Sequence, residues 1–554
     1  MKRIAFAVLL LLCGVAALFL FGKPFDLRTS STALASLEPA LQSERDRGIA
    51  TFGFGDFGAL STDTLRTSAV PWKLAVAALA LHQTQGDLNA VGEVDVSALF
   101  RTFGFHSPKE IANWPSGLPK PDLTKPLGLN TGVARHEFLP TAVTIANTGC
   151  AACHASVTYR ADGTPDTERI WLGMPNGSIN LEAYASALFS AFKTYGHDSG
   201  RLLSAVQRLF PETSWAERQT LRFAILPLLQ KEITEREKDF DRLLPFSAGL
   251  PGATNGLDAL KNQLDLIPNG TVVEKSAFNS VPDLGERHWR RSFLNTAVYA
   301  PPGSDLQSET RPEHLDNTHL KEMASVVAYF TVPSMGVTAE VAEAHIEDAE
   351  VVLKWLTTYR PQPFPGQIDR TQLNLGQSVY AANCSRCHGV YNSSLETPEL
   401  VSFPNWLGDV GTDRGLMELT DQSVADAVNA GRFGRYISAK STGAYAAPPL
   451  TGIWASAPYL HNGSVPTLWH LMRPDRRPLK FVVGGHSLDM EKVGIRGRAD
   501  GAGGWVPQAD HSPWALTEEI DVNAYGLGNQ GHESEFDILS EDEKDALLEY
   551  LKLL

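Results

Sequence analysis

Cys384-Ser385-Arg386-Cys387-His388 decides how this chain is read, and Cys150-Ala151-Ala152-Cys153-His154 repeats its pattern. Two thiols three positions apart reach the two vinyl groups on one edge of a porphyrin. The histidine that follows projects its imidazole at the iron. Cys-x-x-Cys-His is therefore the attachment signature of c-type haem. A redox dithiol, a zinc knuckle or chance would explain one such motif. Two motifs that use four of the five cysteines leave those readings little room. The expectation is two covalent haems on Cys150, Cys153, Cys384 and Cys387, with His154 and His388 as the proximal iron ligands.

The fifth cysteine, Cys13, lies in an apolar run from Ile4 to Phe21 that follows Lys2 and Arg3. A charged start and an apolar stretch make an export signal. The run is long enough to span a bilayer, and it continues past the small residues Val15-Ala16-Ala17. Residues 1–24 are read as a signal anchor or signal peptide, with the uncleaved anchor favoured. The rest of the chain is then periplasmic and tethered to the inner membrane. A formal net charge of −15 argues against nucleic acid, whose phosphates need a basic surface. An acidic face suits a basic electron carrier. Solubility alone explains the charge equally well.

Around the second motif, Leu375, Val379 and Tyr380 recur at helical spacing and lead into Cys384. Near the C-terminus, Ser540-Glu541-Asp542-Glu543 reads as a capping box. Leu547, Leu548, Leu551 and Leu554 then form one apolar face. A first and a last helix crossing over a haem is the cytochrome c arrangement. Val341 to Tyr359 reads as a helix, and Pro361-Gln362-Pro363-Phe364-Pro365-Gly366 breaks it. That break predicts an N-terminal haem domain over 25–365 and a C-terminal cytochrome c domain over 366–554. The expected fold is mainly α: two cytochrome c-like haem domains with long loops, the first enlarged. The 46 glycines and 34 prolines fit those loops.

A longer stretch carries a resemblance. It comprises Pro448-Pro449-Leu450-Thr451-Gly452-Ile453-Trp454 and Ala455-Ser456-Ala457-Pro458-Tyr459-Leu460-His461-Asn462-Gly463-Ser464-Val465-Pro466-Thr467-Leu468. It resembles the dihaem cytochrome c peroxidase superfamily, whose members carry Ala-Pro-Tyr-x-His-x-Gly after the second haem motif. That superfamily includes the maturation enzyme of methylamine dehydrogenase, the haem rubber oxygenases and bacterial fatty-acid dioxygenases. The wide gap between motifs is similar to the enlarged, rubber-oxygenase type. The resemblance implies a division of labour. One haem, usually the N-terminal one, opens a site for peroxide or oxygen, and the other relays electrons with both axial positions filled.

The resemblance also implies site residues. Compact peroxidases place a methionine fourteen positions after the histidine of the Ala-Pro-Tyr segment, and here that position is Asp475. Enlarged members use a histidine near the C-terminus. Gly528-Asn529-Gln530-Gly531-His532-Glu533 is similar to that segment, which makes His532 the expected sixth ligand. Met472, His470, His486, Met490 and His511 are the alternatives. His461 lies beside the haems in the family, with a buried, hydrogen-bonded histidine as the plainer reading. Ser456 and Pro458 match positions whose carbonyls bind calcium, a further candidate cofactor. Pro282-Asp283-Leu284-Gly285-Glu286-Arg287-His288-Trp289-Arg290-Arg291 resembles a segment that approaches the first haem. It offers His288 as a distal acid–base group, Trp289 as a relay or as core, and Arg290 or Arg291 as catalytic or haem-propionate partners. Met174 either caps the first iron or packs in the core.

Three functions follow. The leading expectation is a cytochrome c peroxidase-like enzyme that reduces hydrogen peroxide with electrons from a small donor, a cytochrome c or cupredoxin. The second is a haem dioxygenase acting on an unsaturated apolar substrate. The third is a non-enzymatic electron carrier.

Overall fold

Helix Leu373–Asn383 crosses helix Glu541–Leu551, and the contact is set by the absence of a side chain. A Cβ on Gly376 would collide with the Ala546 carbonyl, so only glycine allows this approach. Tyr380 and Tyr550 close the crossing with ring centres 5.5 Å apart. The Glu541–Leu551 helix begins at a reciprocal cap. Glu543 N donates to Ser540 Oγ at 3.3 Å, and Ser540 N donates to Glu543 Oε2 at 2.8 Å. Buried Leu547, Leu548 and Leu551 face inward.

The computed structural model describes residues 31–55, 70–134, 142–237, 244–268, 270–330 and 339–554. The apolar run over 4–21 lies outside them. Among the described residues no helix is long and apolar enough to cross a membrane. The N-terminal half is helical with short strands between. Helix Trp72–Gln83 is apolar nearly all round, and from Leu74 to Leu81 every residue is buried. It packs on helices Leu181–Tyr195 and Ser199–Leu209. Helix Glu44–Phe54 crosses Ile346–Leu356 at Gly48, whose missing Cβ makes room for the Val351 carbonyl. Phe52 and Trp355 fill the crossing with ring centres 4.7 Å apart. Strands Leu129–Ala134 and Val143–Thr148 pair antiparallel and deliver the chain to Cys150. Strands Ala155–Tyr159 and Pro165–Leu172 carry it away. In the C-terminal half, Lys480–Val483 lies between Gly504–Val506 and Glu518–Asp521 in a four-stranded sheet.

The proline-rich break around residue 365 is docked rather than free. Gln362 exchanges two hydrogen bonds with the Tyr159 backbone, at 3.2 and 3.0 Å. Its carbonyl accepts from Trp454 Nε1 at 3.0 Å, and Phe364 packs edge-on against Trp454. The cores also cross this point. Leu416, Met417, Val424 and Phe433 are buried with Phe52, Met323 and Trp355. Met174, Phe278 and Trp289 are buried with Trp454 and Tyr550.

Replacing Gly376 by valine should cost about 1–3 kcal/mol, because the added atoms meet backbone and not a flexible side chain. Urea unfolding of the haem-loaded protein should show a lowered midpoint with an unchanged slope.

Candidate functional site

Each Cys-x-x-Cys segment forms a single helical turn, Cys150–Cys153 and Ser385–His388. Helical spacing brings residues three and four apart to one face, so both thiols and the following imidazole share a side. The first turn is pinned by Asn176 Nδ2, which donates to the carbonyls of Ala152 at 3.0 Å and Gly104 at 2.9 Å. The second ends at Gly389, whose φ of +93° reverses the chain. Its carbonyl accepts from Tyr380 O–H at 2.9 Å.

The four motif cysteines form no disulfide. Burial pushes the thiols of Cys150, Cys153 and Cys384 up to about 12.

Both motif histidines are oriented alike. His154 Nδ1 donates to the Pro282 carbonyl at 3.1 Å, and His388 Nδ1 donates to the Pro448 carbonyl at 2.8 Å. A carbonyl only accepts, so Nδ1 carries the proton and Nε2 keeps its lone pair. Burial lowers the pKa of both rings, that of His154 to about 4. Each is therefore neutral, as a metal ligand must be.

A cavity opens at each histidine. The one at His388 offers about 230 Å³ to the centre of a water molecule, the one at His154 about 260 Å³. Matching sizes suit the same kind of group. The first also holds Met472, Tyr445, His461 and His532. His532 faces His388 with ring centres 6.3 Å apart and planes 23° from parallel. An ion held between two imidazole nitrogens at about 2 Å each sets the ring centres roughly 6 Å apart. His532 has φ +64°, a left-handed conformation that strains most side chains. The surroundings impose it. Buried Arg477 spends its guanidinium on the carbonyls of Asn529 (2.6 Å), Gly531 (2.8 Å) and Leu471 (2.7 Å) and on Glu533 Oε1 (3.0 Å). Glu533 in turn accepts from Gly531 N. Burial lowers His532 to about 3, helped by the charge on Arg477. Its Nδ1 is buried without a partner.

The other histidine and methionine candidates sit elsewhere. His470 bonds Thr467 Oγ1 and packs edge-on against Trp505. His470, His486, Met490 and His511 are absent from the lining at His388. His461 lines that cavity, stacks on Tyr445 at 4.3 Å and leaves Nε2 unpartnered. Its carbonyl accepts from Ser280 N.

The cavity at His154 differs in one respect. Among the described residues that line it, the other histidine is His288 and the methionine is Met323, and no imidazole is stacked opposite His154. Leu257, Leu260, Val327, Val352, Leu353 and Leu356 make its walls apolar. His288 and Arg290 line it, both buried. Burial drops His288 to about 3 and leaves its Nδ1 unpartnered. Arg290 Nη2 donates to the Leu294 carbonyl at 2.7 Å and forms no ion pair with any described residue. Glu182 also borders the cavity. Its Oε1 accepts from Asn255 N at 2.9 Å, and burial raises its pKa. Trp289 and Met174 lie in the core and line neither cavity. Arg291 lines neither as well, and its N–H donates to Asn405.

Sequence reading missed the carbonyls of Pro282 and Pro448, and also Arg287, Arg477 and Glu182. Both prolines begin segments already singled out, but a backbone acceptor leaves no mark on residue type.

A family model described as "RoxA-like, cytochrome c-like" matches residues 444–482. These residues include the Pro448 carbonyl and the Ala-Pro-Tyr segment. The chain is thus similar to c-type cytochromes over a segment that follows its second motif, and haem c is the cofactor this implies. Within that class the likeness is to the RoxA type, which is a haem oxidoreductase. The chain is also similar to two proteins of Sinorhizobium fredii (strain NBRC 101917 / NGR234). It is 29% identical to uncharacterized protein y4iM over 26% of this chain and 38% of the relative. It is 36% identical to uncharacterized protein y4iJ over 20% of this chain and 18% of the relative. The chain thus spans well under half the length of either relative.

Replacing His532 by alanine should convert a low-spin haem signal to high-spin in optical and paramagnetic resonance spectra. Replacing Arg477 by methionine should convert part of it, since the ligand remains but its loop is loosened. Unchanged spectra in both variants would exclude His532 as a ligand.

Proposed function

We propose that the chain is an exported dihaem c-type oxidoreductase that uses dioxygen to oxidise an unsaturated apolar substrate, which would bind in the cavity at His154. One observation carries the reading: the His532 imidazole stacks face to face with His388, whereas among the described residues no imidazole is stacked on His154. A filled sixth position suits electron relay, because fixed ligands limit reorganisation. An open one leaves room to react. The RoxA-like match favours dioxygen over peroxide as oxidant.

Bound haem c supplies an iron that exchanges single electrons and binds oxygen species. The protein supplies the rest. His154 and His388 would hold the irons through Nε2, with tautomers set by Pro282 and Pro448. His532 would close the second site. Leu257, Leu260, Val352 and Leu353 exclude water at the first and would accept an apolar chain. The mature chain would be periplasmic and held at the inner membrane by the run over 4–21.

Peroxide reduction is the second reading. His288, Arg290 and Glu182 on the same cavity favour it. A neutral buried imidazole can take up a proton at its ring nitrogen, a buried guanidinium steadies an anion, and a raised carboxyl can donate.

The test uses the full chain matured in a host that attaches c-type haem. Oxygen uptake with unsaturated lipids or isoprenoids, leaving cleaved or oxygenated products, is the expected result. Anaerobic turnover of many equivalents of hydrogen peroxide by a reduced small cytochrome, without oxygen uptake, would instead select the peroxidase. Two inert low-spin haems would leave only an electron carrier.

A further inference from the structure

The two cavities share a wall. Pro282, Arg287 and Asn295 line both. Arg287 is the charged member of the three. Its Nε donates to the Asp283 carbonyl at 2.9 Å. No carboxylate of the described residues lies within ion-pair distance of it. The Asp283 carboxyl is turned to other donors, Gly285 N at 2.7 Å and Tyr359 O–H at 3.2 Å. Burial pushes that carboxyl up to about 7, so it offers at most a partial charge near neutrality. Burial lowers Arg287 only to about 10, which leaves the guanidinium charged.

Glu286 fixes this segment against the C-terminal half by accepting from Leu400 N at 3.0 Å and from Thr451 Oγ1. The cation is therefore held in place, not mobile. One fixed cation is thus placed at the cavities of both motif histidines.

We infer that Arg287 is a shared tuning residue, which raises the reduction potential of the haems at both motifs together. The inference rests on the two-haem reading above. Adding an electron to either centre is favoured by a fixed positive charge nearby. At an effective dielectric of about 20, a unit charge some 10 Å away shifts a one-electron equilibrium roughly tenfold. A tenfold shift corresponds to about 59 mV for one electron.

The test is a spectroelectrochemical titration of the haem-loaded full chain, with haem counted first by the pyridine haemochrome. Arg287→Met should lower the potentials of both haems by roughly tenfold in reduction equilibrium. Arg287→Lys, which keeps the charge, should leave both within about twofold. Arg290→Met, from a residue lining only the His154 cavity, should lower one potential alone. Should Arg287→Met mature with less haem than the parent, Arg287→Gln keeps a donor for the Asp283 carbonyl and is read in its place. A parent haem count of one would overturn the two-haem reading. A count of two with only one potential moved, or neither, would overturn the shared role of Arg287 and leave that reading intact.

Discussion

A hydrogen bond from one imidazole nitrogen fixes the tautomer and the ring direction, so that the other nitrogen can offer its lone pair to a metal. The hydrogen bonds from His154 to Pro282 and from His388 to Pro448 impose that condition at both motifs. Much of the surrounding structure serves these two carbonyls. Pro282 begins the buried turn that carries Asp283, Glu286 and Arg287. Pro448 begins the segment that runs through Thr451 to Trp454 and is stitched back to Tyr391 and Glu286. The acceptor of one histidine and the acceptor of the other thus belong to segments bonded to each other. Orientation at one centre is mechanically tied to orientation at the other.

From this symmetric start the two sites diverge through what stands opposite the histidine. At His388 the chain commits a strained residue, His532, and a fully engaged guanidinium, Arg477, to closing the space. At His154 it provides aliphatic walls from the Asn317–Phe330 and Ile346–Leu356 helices and a few buried polar groups. At both centres burial is the main cause that lowers the pKa of the imidazole. The two centres differ in the groups set against the motif histidine.

The motif cysteines and histidines were legible because the Cys-x-x-Cys-His spacing is itself the signal. Helix Glu541–Leu551 was legible from its capping box and leucine face, both local signals. His532 was reached through family resemblance, since nothing in Gly-His-Glu by itself distinguishes a ligand from a loop histidine. Trp289 and Met174 looked chemically useful, yet both lie in the core, because an aromatic ring or thioether is more often wanted for volume. The roles of Arg287 and Arg477 depend on contacts across 100 or more residues of fold, or on backbone oxygens. Neither kind of contact shows in residue order. The Pro361–Gly366 break reads as a tether from composition, and only the Gln362–Tyr159 pairing reveals it as a seam.

That seam bears on how the protein is made. Two of the buried clusters interleave residues from before and after it, and Cys150 and Cys384 pack against them. Thioether bonds can form only while those thiols are still reachable by the attachment machinery. Because the halves close on each other, neither motif can be completed at leisure behind a finished partner domain. On the two-haem proposal, attachment at both would run ahead of final collapse, so the packing would set the order: derivatise, then fold once.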